Sequence, residues 1–307
     1  MTKPFSARMR FLIRAGVAGL LATGAALSLR AQEQLDFFLS FTDAKGAAVT
    51  DVTAGELSIV ENGVMGTIVS VQRDTHPLDV QLLVDNGAGM GPALAEIRTG
   101  IKGFFAALPG DAQVSLVTMA PQPRFLVRAV TGPQNGVQAA DRLVPDVSLA
   151  AFLDALVEAG ERLKNQAKNR VPVIVAVAST SPDASSSREQ HFKTMAQRAS
   201  ELAATVHVVV LTSGARVSSA QVPGGVASDS QYIIGSEIAR VTGGRYEQIA
   251  VSSRLATLLP EMGALITAQS QRFLVRARRP ASAKGSLGAV GFGIARPGVT
   301  VRATFAR

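Results

Sequence analysis

Between Val80 and Ala268 the sequence switches repeatedly between two hydrophobic periods, and this alternation restricts the fold more than any other feature. Val80–Val84, Val171–Ala178 and Val206–Leu211 are almost unbroken apolar runs. Runs of that kind suit strands covered on both faces, as in a parallel sheet held between helical layers. Segments of helical spacing separate them: Ala93–Leu108, Leu149–Asn165, Arg188–Ala204, Gln231–Val241 and Ser253–Ala268. The first opens near Pro92 and closes at Pro109-Gly110, and the fourth closes at Gly243-Gly244, the residue types expected at those ends. Arg245–Ile249 reads as one more short strand. Gln113–Met119 and Arg124–Val130 are joined by a link too short for a crossover, so they are expected to pair antiparallel. The predicted fold class is α/β: a doubly wound, mostly parallel sheet with helices on both faces and one antiparallel edge strand.

Both flanks of this core read as β. On the N-terminal side Leu35–Thr42 is a strand and Asp43–Gly46 a turn. Leu57–Glu61, Asn62-Gly63 and Thr67–Gln72 then read as a hairpin, because Asn-Gly supplies the positive φ of a tight turn. On the C-terminal side Gln271–Ala277, Ala289–Ile294 and Val299–Phe305 are strand-like. Chain ends usually lie close together, so the two blocks are expected to form one small flanking β domain. The resulting division is 1–31 signal peptide, 32–76 N-terminal β segment, 77–269 α/β domain and 270–307 C-terminal β segment, with His76-Pro77 marking the first boundary of the core. Ser213–Ser230, rich in Ser, Gly and Val, reads as a mobile loop.

Charge and composition exclude several classes of function. The formal net charge is +8, but Lys3, Arg8, Arg10, Arg14 and Arg30 fall in the first 31 positions, which hold no acidic residue. The excess is therefore mostly a targeting feature and gives no reason to expect a nucleic-acid partner. Aromatic residues make up 5%, with two Tyr and no Trp, too few rings for single-strand or sugar stacking. The absence of cysteine excludes disulfides, thiolate metal sites and a thiol nucleophile. The basic start followed by the apolar run to Leu29 reads as an export signal, with cleavage after Ala26, Ser28 or Ala31. That run is shorter than a membrane span needs, so the mature chain is expected to carry no integral membrane segment and to be periplasmic or extracellular.

Five collinear pieces carry a resemblance to a known family. Leu57-Ser-Ile-Val-Glu-Asn-Gly63 matches an F-x-V-x-E-D-G pattern, and Leu83-Val-Asp85 a first core strand. Ala151–Leu156 matches A-L-Y-D-A-L, Val241–Tyr246 matches A-T-G-G-R-x-F, and Ala295–Ala303 matches R-P-G-x-x-V-R-A. From about Leu35 to the C-terminus the chain resembles the von Willebrand factor A-related family of exported bacterial proteins. The resemblance implies a protein-binding or adhesion module, not an enzyme, with a divalent cation at the carboxyl edge of the sheet. In the family a D-x-S-x-S loop, a Thr and an Asp hold that ion, a hard-oxygen set suited to magnesium or calcium.

This sequence departs from the family's set nearly everywhere. Asp85 stands in place, but Gly87 and Gly89 occupy both serine positions. The threonine position falls near Ala150, with Ser148 the nearest hydroxyl, and the expected Asp after the Ile174–Ala178 run is Ser179. A degenerate site follows, with Asp85, Gly87, Gly89, Ser148 and Ser179 as candidate binding residues, no metal ligand set and no cofactor. Asp85 is expected to accept backbone N–H bonds near a helix N-terminus. The alternative is a magnesium- or calcium-assisted module in which Asp146 or Asp183 joins Asp85; a further alternative, from another class, is an envelope enzyme.

Enzymatic readings lack their motifs. Gly87-Ala-Gly89-Met-Gly91 resembles a dinucleotide fingerprint but meets Pro92 where a third glycine belongs, and Asp111 is badly placed as its carboxylate. No G-x-S-x-G elbow occurs. His76 reads as a linker residue, His191 as part of a solvated helix face and His207 as a core or edge side chain. Arg272, Arg276 and Arg278 share one strand face, read as solvated or edge-protecting, while Arg279 points the other way. The expected recognition surface is the loop edge formed by Asp85–Pro92, Asp146–Ala150, Ser179–Ser187 and Ser213–Ser230, and the expected partner is another protein.

Overall fold

A computed structural model describes residues 33–306 except 166–168, 188 and 213–229. The segment 1–31 and nearly all of the Ser213–Ser230 loop lie outside the described residues. The central sheet has six strands: β5 (Leu78–Val84), β6 (Gln113–Thr118), β7 (Arg124–Thr131), β8 (Val171–Ser179), β9 (Thr205–Leu211) and β10 (Tyr246–Ile249). Their order is β10-β9-β8-β5-β6-β7, with only β7 antiparallel to its neighbour. The expected α/β class therefore holds, and the apolar runs explain it. All seven residues of β5 are buried, because helices cover both faces of the strand.

One face of the sheet carries α1 (Leu94–Ala106), α2 (Gln134–Ala139) and α6 (Leu255–Ser270). In α1 the buried residues Ile97, Ile101, Phe104 and Phe105 recur at helical spacing and meet Leu82, Val84 and Val114. The other face carries α3 (Phe152–Asn165), α4 (Glu189–Glu201) and α5 (Ser230–Val241), which bury Leu156, Met195 and Ile238 against Ile174 and Val208. Helix α2 had no counterpart in the sequence reading. Helix α3 begins at Phe152, later than the expected Leu149, because Ala150 and Ala151 are used elsewhere: the Ala151 N–H reaches Met119 (3.1 Å) and the Ala150 carbonyl accepts from Ala184 (2.9 Å).

The flanking strands form two antiparallel sheets, β13-β1-β11-β4 and β12-β2-β3. These comprise β1 (Gln34–Thr42), β2 (Leu57–Glu61), β3 (Val64–Met65), β4 (Thr67–Arg73), β11 (Arg272–Arg278), β12 (Val290–Ile294) and β13 (Thr300–Ala306). Phe37, Leu39, Phe41, Ile59, Phe273 and Val275 fill the space between the two sheets. The Asn62-Gly63 turn forms with φ of 49° and 82°, the double positive φ of a tight hairpin turn. The hairpin itself is shorter than expected. Only Val64 and Met65 pair with β2, while β4 leaves for the other sheet and pairs with β11. The crossing is at Gly66, where a Cβ would lie 2.8 Å from the Arg278 carbonyl oxygen.

The arginine cluster also departs from the solvated-face reading. Arg276 pairs with Asp36 and is exposed. Arg272 is buried, bonded through Nε to Asp74 at 2.6 Å and stacked 3.7 Å over the Phe38 ring. Arg279 is buried as well and is held by Glu61 and Glu33. Glu61 is kept below the usual carboxylate range by the Arg279 guanidinium bonded to it. Strand alternation gave the facing of these residues correctly but could not show that the central α/β layer covers one end of the strand.

Candidate functional site

Loops leaving the carboxyl ends of β5, β6 and β8 form a crown around Asp85. Asp85 follows the last residue of β5 and is 2% exposed. Its Oδ1 accepts the Gly87 N–H at 2.7 Å, and its Oδ2 accepts the Ser179 N–H at 3.0 Å and the Ser179 hydroxyl at 2.7 Å. Burial pushes its pKa up, and the bonds from Ser179 and Gly87 only partly offset this. Of the two roles expected for this residue, accepting backbone N–H groups is the one these contacts display.

Asn86 fastens three loops together. Its Nδ2 donates to the Val144 carbonyl at 3.1 Å, its Oδ1 accepts the Ala120 N–H at 3.0 Å, and its own carbonyl accepts the Asp146 N–H at 2.7 Å. Asp146 in turn accepts the Ser148 N–H at 2.8 Å, a local turn that shapes the tip of its loop. Val147 at that tip is 96% exposed.

Gly87 and Gly89 stand at the serine positions of the pattern that the sequence resembles, and a Cβ at either would meet neighbouring atoms. A Cβ on Gly87 would lie 2.7 Å from the Ser148 carbonyl oxygen and 3.1 Å from the Ala150 nitrogen. A Cβ on Gly89 would lie 1.9 Å from Ser181 Oγ and 2.7 Å from Ser179 Oγ. The structure thus brings Asp85, Gly87, Gly89, Ser148 and Ser179 together. Ser148 contributes its backbone carbonyl to this packing, and that carbonyl also accepts the Ala88 N–H at 2.9 Å.

Asp183, considered above as a substitute ligand, has a different task. Its Oδ1 accepts the Phe152 N–H at 2.9 Å and its Oδ2 accepts the Leu153 N–H at 3.3 Å, so it caps α3 from a distant loop. Ser185 adds a cap on the Asp154 N–H at 2.9 Å and donates its hydroxyl to Asp183 at 2.7 Å. Burial raises the pKa of Asp183, with these bonds opposing the rise. For Asp154 burial also pushes upward, but bonds from Ser187 and Ser186 outweigh it and leave the carboxyl below its ordinary value.

The donor set therefore does not fit a divalent cation of the kind the family holds. Such an ion takes six or more oxygens in an open shell. Here both oxygens of Asp85 and of Asp183 already accept protein hydrogen bonds, and the hydroxyl positions at 87 and 89 are filled by neighbouring atoms. Among the described residues no group of three or more His, Asp or Glu could hold a metal ion. The three histidines sit on different elements: His76 beside Asp74, His191 on α4 and His207 inside β9.

Sequence reasoning missed Asn86, Ser181, Asp183 as a cap, and Gln231. Gln231 is 2% exposed and donates through Nε2 to the Ser181 carbonyl at 2.8 Å, which ties the start of α5 to the crown. No local signal marks these residues, since each acts on a loop far away in the chain.

The von Willebrand factor type A domain model matches residues 80–181. No curated protein matches the chain by sequence. Among solved structures, a von Willebrand factor type A protein from Catenulispora acidiphila is similar at 12% identity and a TM-score of 0.51, over 90% of this chain and 74% of that one. The conserved hypothetical protein BatB from Bacteroides thetaiotaomicron is similar at 13% identity and a TM-score of 0.45, over 62% of this chain and 98% of that one. Proximal thread matrix protein 1 from the mussel byssus, with a zinc-occupied MIDAS motif, is similar at 12% identity and a TM-score of 0.49, over 68% of this chain and 50% of that one. The first of these likenesses speaks to the fold alone.

Proposed function

We propose that the chain, whose residues 80–181 match a von Willebrand factor type A domain model, is an exported, non-enzymatic protein-binding module whose crown recognises its partner without a metal ion. Domains of this type are commonly interaction or adhesion modules, while a fold by itself fixes no partner. One observation carries the metal-independent part: the space for ligand hydroxyls at Gly87 and Gly89 is occupied by Ser148 and Ser181 atoms. Recognition then falls to the rim of the crown. Val144, Val147 and Val251, on loops at that edge, are 61%, 96% and 59% exposed. Asn86 and Asp146 hold the Val147 loop in place, which lowers the ordering cost of contact. Export is supported by the basic start and apolar run of the first 31 residues. No helix of the described residues is long and apolar enough to cross a membrane.

The test is calorimetric titration of the purified chain with magnesium, manganese and calcium, joined to affinity capture from an envelope extract with and without chelator. The expected result is no saturable heat and the same captured protein in both extracts. Saturable heat that disappears in Asp85→Ala, with capture lost in chelator, would instead establish the metal-assisted reading. Turnover of a substrate by the purified chain would end the non-enzymatic one.

A further inference from the structure

One edge of the central sheet is β7, which pairs with β6 alone. Four arginines gather on this strand and beside it. Arg124 and Arg128 belong to β7 and are exposed. Arg142, exposed as well, follows α2 and donates through Nη2 to the Leu126 carbonyl at 3.1 Å. Arg162 comes from α3. Of the four, only Arg162 has an acidic partner among the described residues, Glu158 at 3.4 Å.

Two features set this cluster apart from ordinary edge protection, in which scattered charges keep foreign strands from pairing. The first is crowding. The guanidinium groups of Arg128 and Arg162 lie 4.7 and 4.8 Å from the centre of one ring, Phe125. The ring attracts each of them, but the two cations repel one another. Burial lowers the Arg162 pKa, and Arg128 adds to that fall while Glu158 opposes it. The second feature is shape. Phe125 packs with the α3 side of the sheet and Leu126 with the α1 and α2 side. On the latter side a groove of about 390 Å³ is lined by Leu126, Val127, Asn135, Gln138 and Arg142, a size that accepts side chains of a partner.

Addition of a further strand does not suit this edge. The pairing of β7 with β6 slips twice, between Val114 and Leu116 and between Leu116 and Val117, and Arg142 already bonds the Leu126 carbonyl. Contact therefore falls to side chains. Guanidinium groups pair in forked fashion with carboxylates and with phosphates. Apolar surface beside them favours the carboxylates of a protein: Leu126 and Val127 line the groove, and Val144, two residues after Arg142, is 61% exposed. A polyphosphate has nothing to bury there.

We infer that the β7 edge docks an acidic segment of a protein partner, with carboxylates on Arg124 and Arg128 and an apolar side chain in the groove beside Leu126. This rests on the protein-binding reading above and names the chemistry of its partner. The edge is continuous with the crown, because Asn86 bonds both Val144 and Ala120, the residues that lead from Arg142 and toward Arg124.

The probe is a short dye-labelled peptide in which leucine interrupts a run of glutamates, titrated with the whole purified chain by fluorescence anisotropy. Saturable binding is expected, weakened about tenfold or more by Arg124→Glu with Arg128→Glu and weakened by added salt. Lys193→Glu, which reverses an exposed cation on α4, should leave it unchanged. If the double reversal does not fold, Arg124→Gln with Arg128→Gln should weaken binding in the same direction. No peptide binding, or equal binding by the double variant, overturns the inference. So does equal affinity for inorganic polyphosphate or for anionic lipid vesicles, which marks an attraction to any anion. In the envelope extract, a partner captured by the unaltered chain should be lost from the double variant. Its retention overturns this inference and leaves the protein-binding reading standing, whereas an extract that yields no partner at all tells against that reading itself.

Discussion

The two ends of the central sheet handle buried charge in opposite ways. At the crown, Asp85 and Asp183 are buried without a cation, and backbone N–H and serine hydroxyl groups surround them. At the base, Arg272 is buried with a carboxylate partner, while among the described residues both oxygens of Asp79 and Nε2 of His207 are buried without a hydrogen-bond partner. The crown is closed because its anions are already solvated by the protein. The base is unfinished because, among the described residues, it keeps buried polar atoms without partners, both oxygens of Asp79 and Nε2 of His207. An acid held by N–H groups is satisfied within one chain, whereas a buried polar atom without a partner costs stability.

The largest effect is expected at the base. Asp74→Ala leaves the Arg272 guanidinium buried without its carboxylate, since the side chains are 2% and 10% exposed. A loss of about 3–5 kcal/mol is expected from urea unfolding midpoints. A loss below about 1 kcal/mol would show that water reaches Arg272, and the contrast between the two ends would weaken.

Asp79, near the start of β5, offers a pH test. Burial raises its pKa from the ordinary 3.8 to about 6, with Arg170 pulling the other way. The folded state then binds the extra proton between these values, so this residue makes stability fall as pH rises from about 4 to 6. His207 acts oppositely: its lowered pKa makes stability fall as pH drops from 6.5 toward 3. In their shared window the two contributions cancel. Asp79→Asn is therefore expected to gain about 3 kcal/mol at pH 7 and to steepen the acid loss between pH 4 and 6. An unchanged slope of stability against pH would refute the raised Asp79 value.

At the crown, Gly87→Ser introduces the serine of the resembled pattern where a backbone carbonyl stands 2.7 Å from the new Cβ. It should cost about 1–3 kcal/mol and produce no manganese binding by calorimetry. Gly89→Ser should cost less, because its nearest obstacle is the Ser181 hydroxyl, which can rotate. A stable double variant that binds manganese would show the crown to be adaptable, not closed. The smallest effect on stability is expected for Val147→Asp, within about 0.5 kcal/mol for an exposed loop tip. The same change should reduce capture of the protein partner; unchanged capture would move the recognition surface away from this loop.

Much of this architecture was legible along the chain. Apolar runs marked β5, β8 and β9, and the short link between β6 and β7 fixed their antiparallel pairing. The candidate residues Asp85, Gly87, Gly89 and Ser179 were also visible, through the family resemblance and the sites at which the sequence leaves it. The misreadings have a common origin. Asn62-Gly63 forms its turn locally, but β11, two hundred residues on, decides where Thr67–Arg73 pairs. Arg272 alternates outward like any strand residue, yet it is buried by the layer below. Asp183 caps a helix thirty residues away, so no helix-start pattern contains it.

The sequence by itself determined what depends on neighbours along the chain: strand and helix periods, turn chemistry, and which residues follow the core strands at Gly87, Gly89 and Ser179. Only the tertiary structure decided which carboxylates are already occupied, which arginines are buried, and which donors lack acceptors. Periodicity reports how a residue faces its own element. Solvation of a charge depends on every group packed around it, and those groups come from loops and strands far apart in sequence.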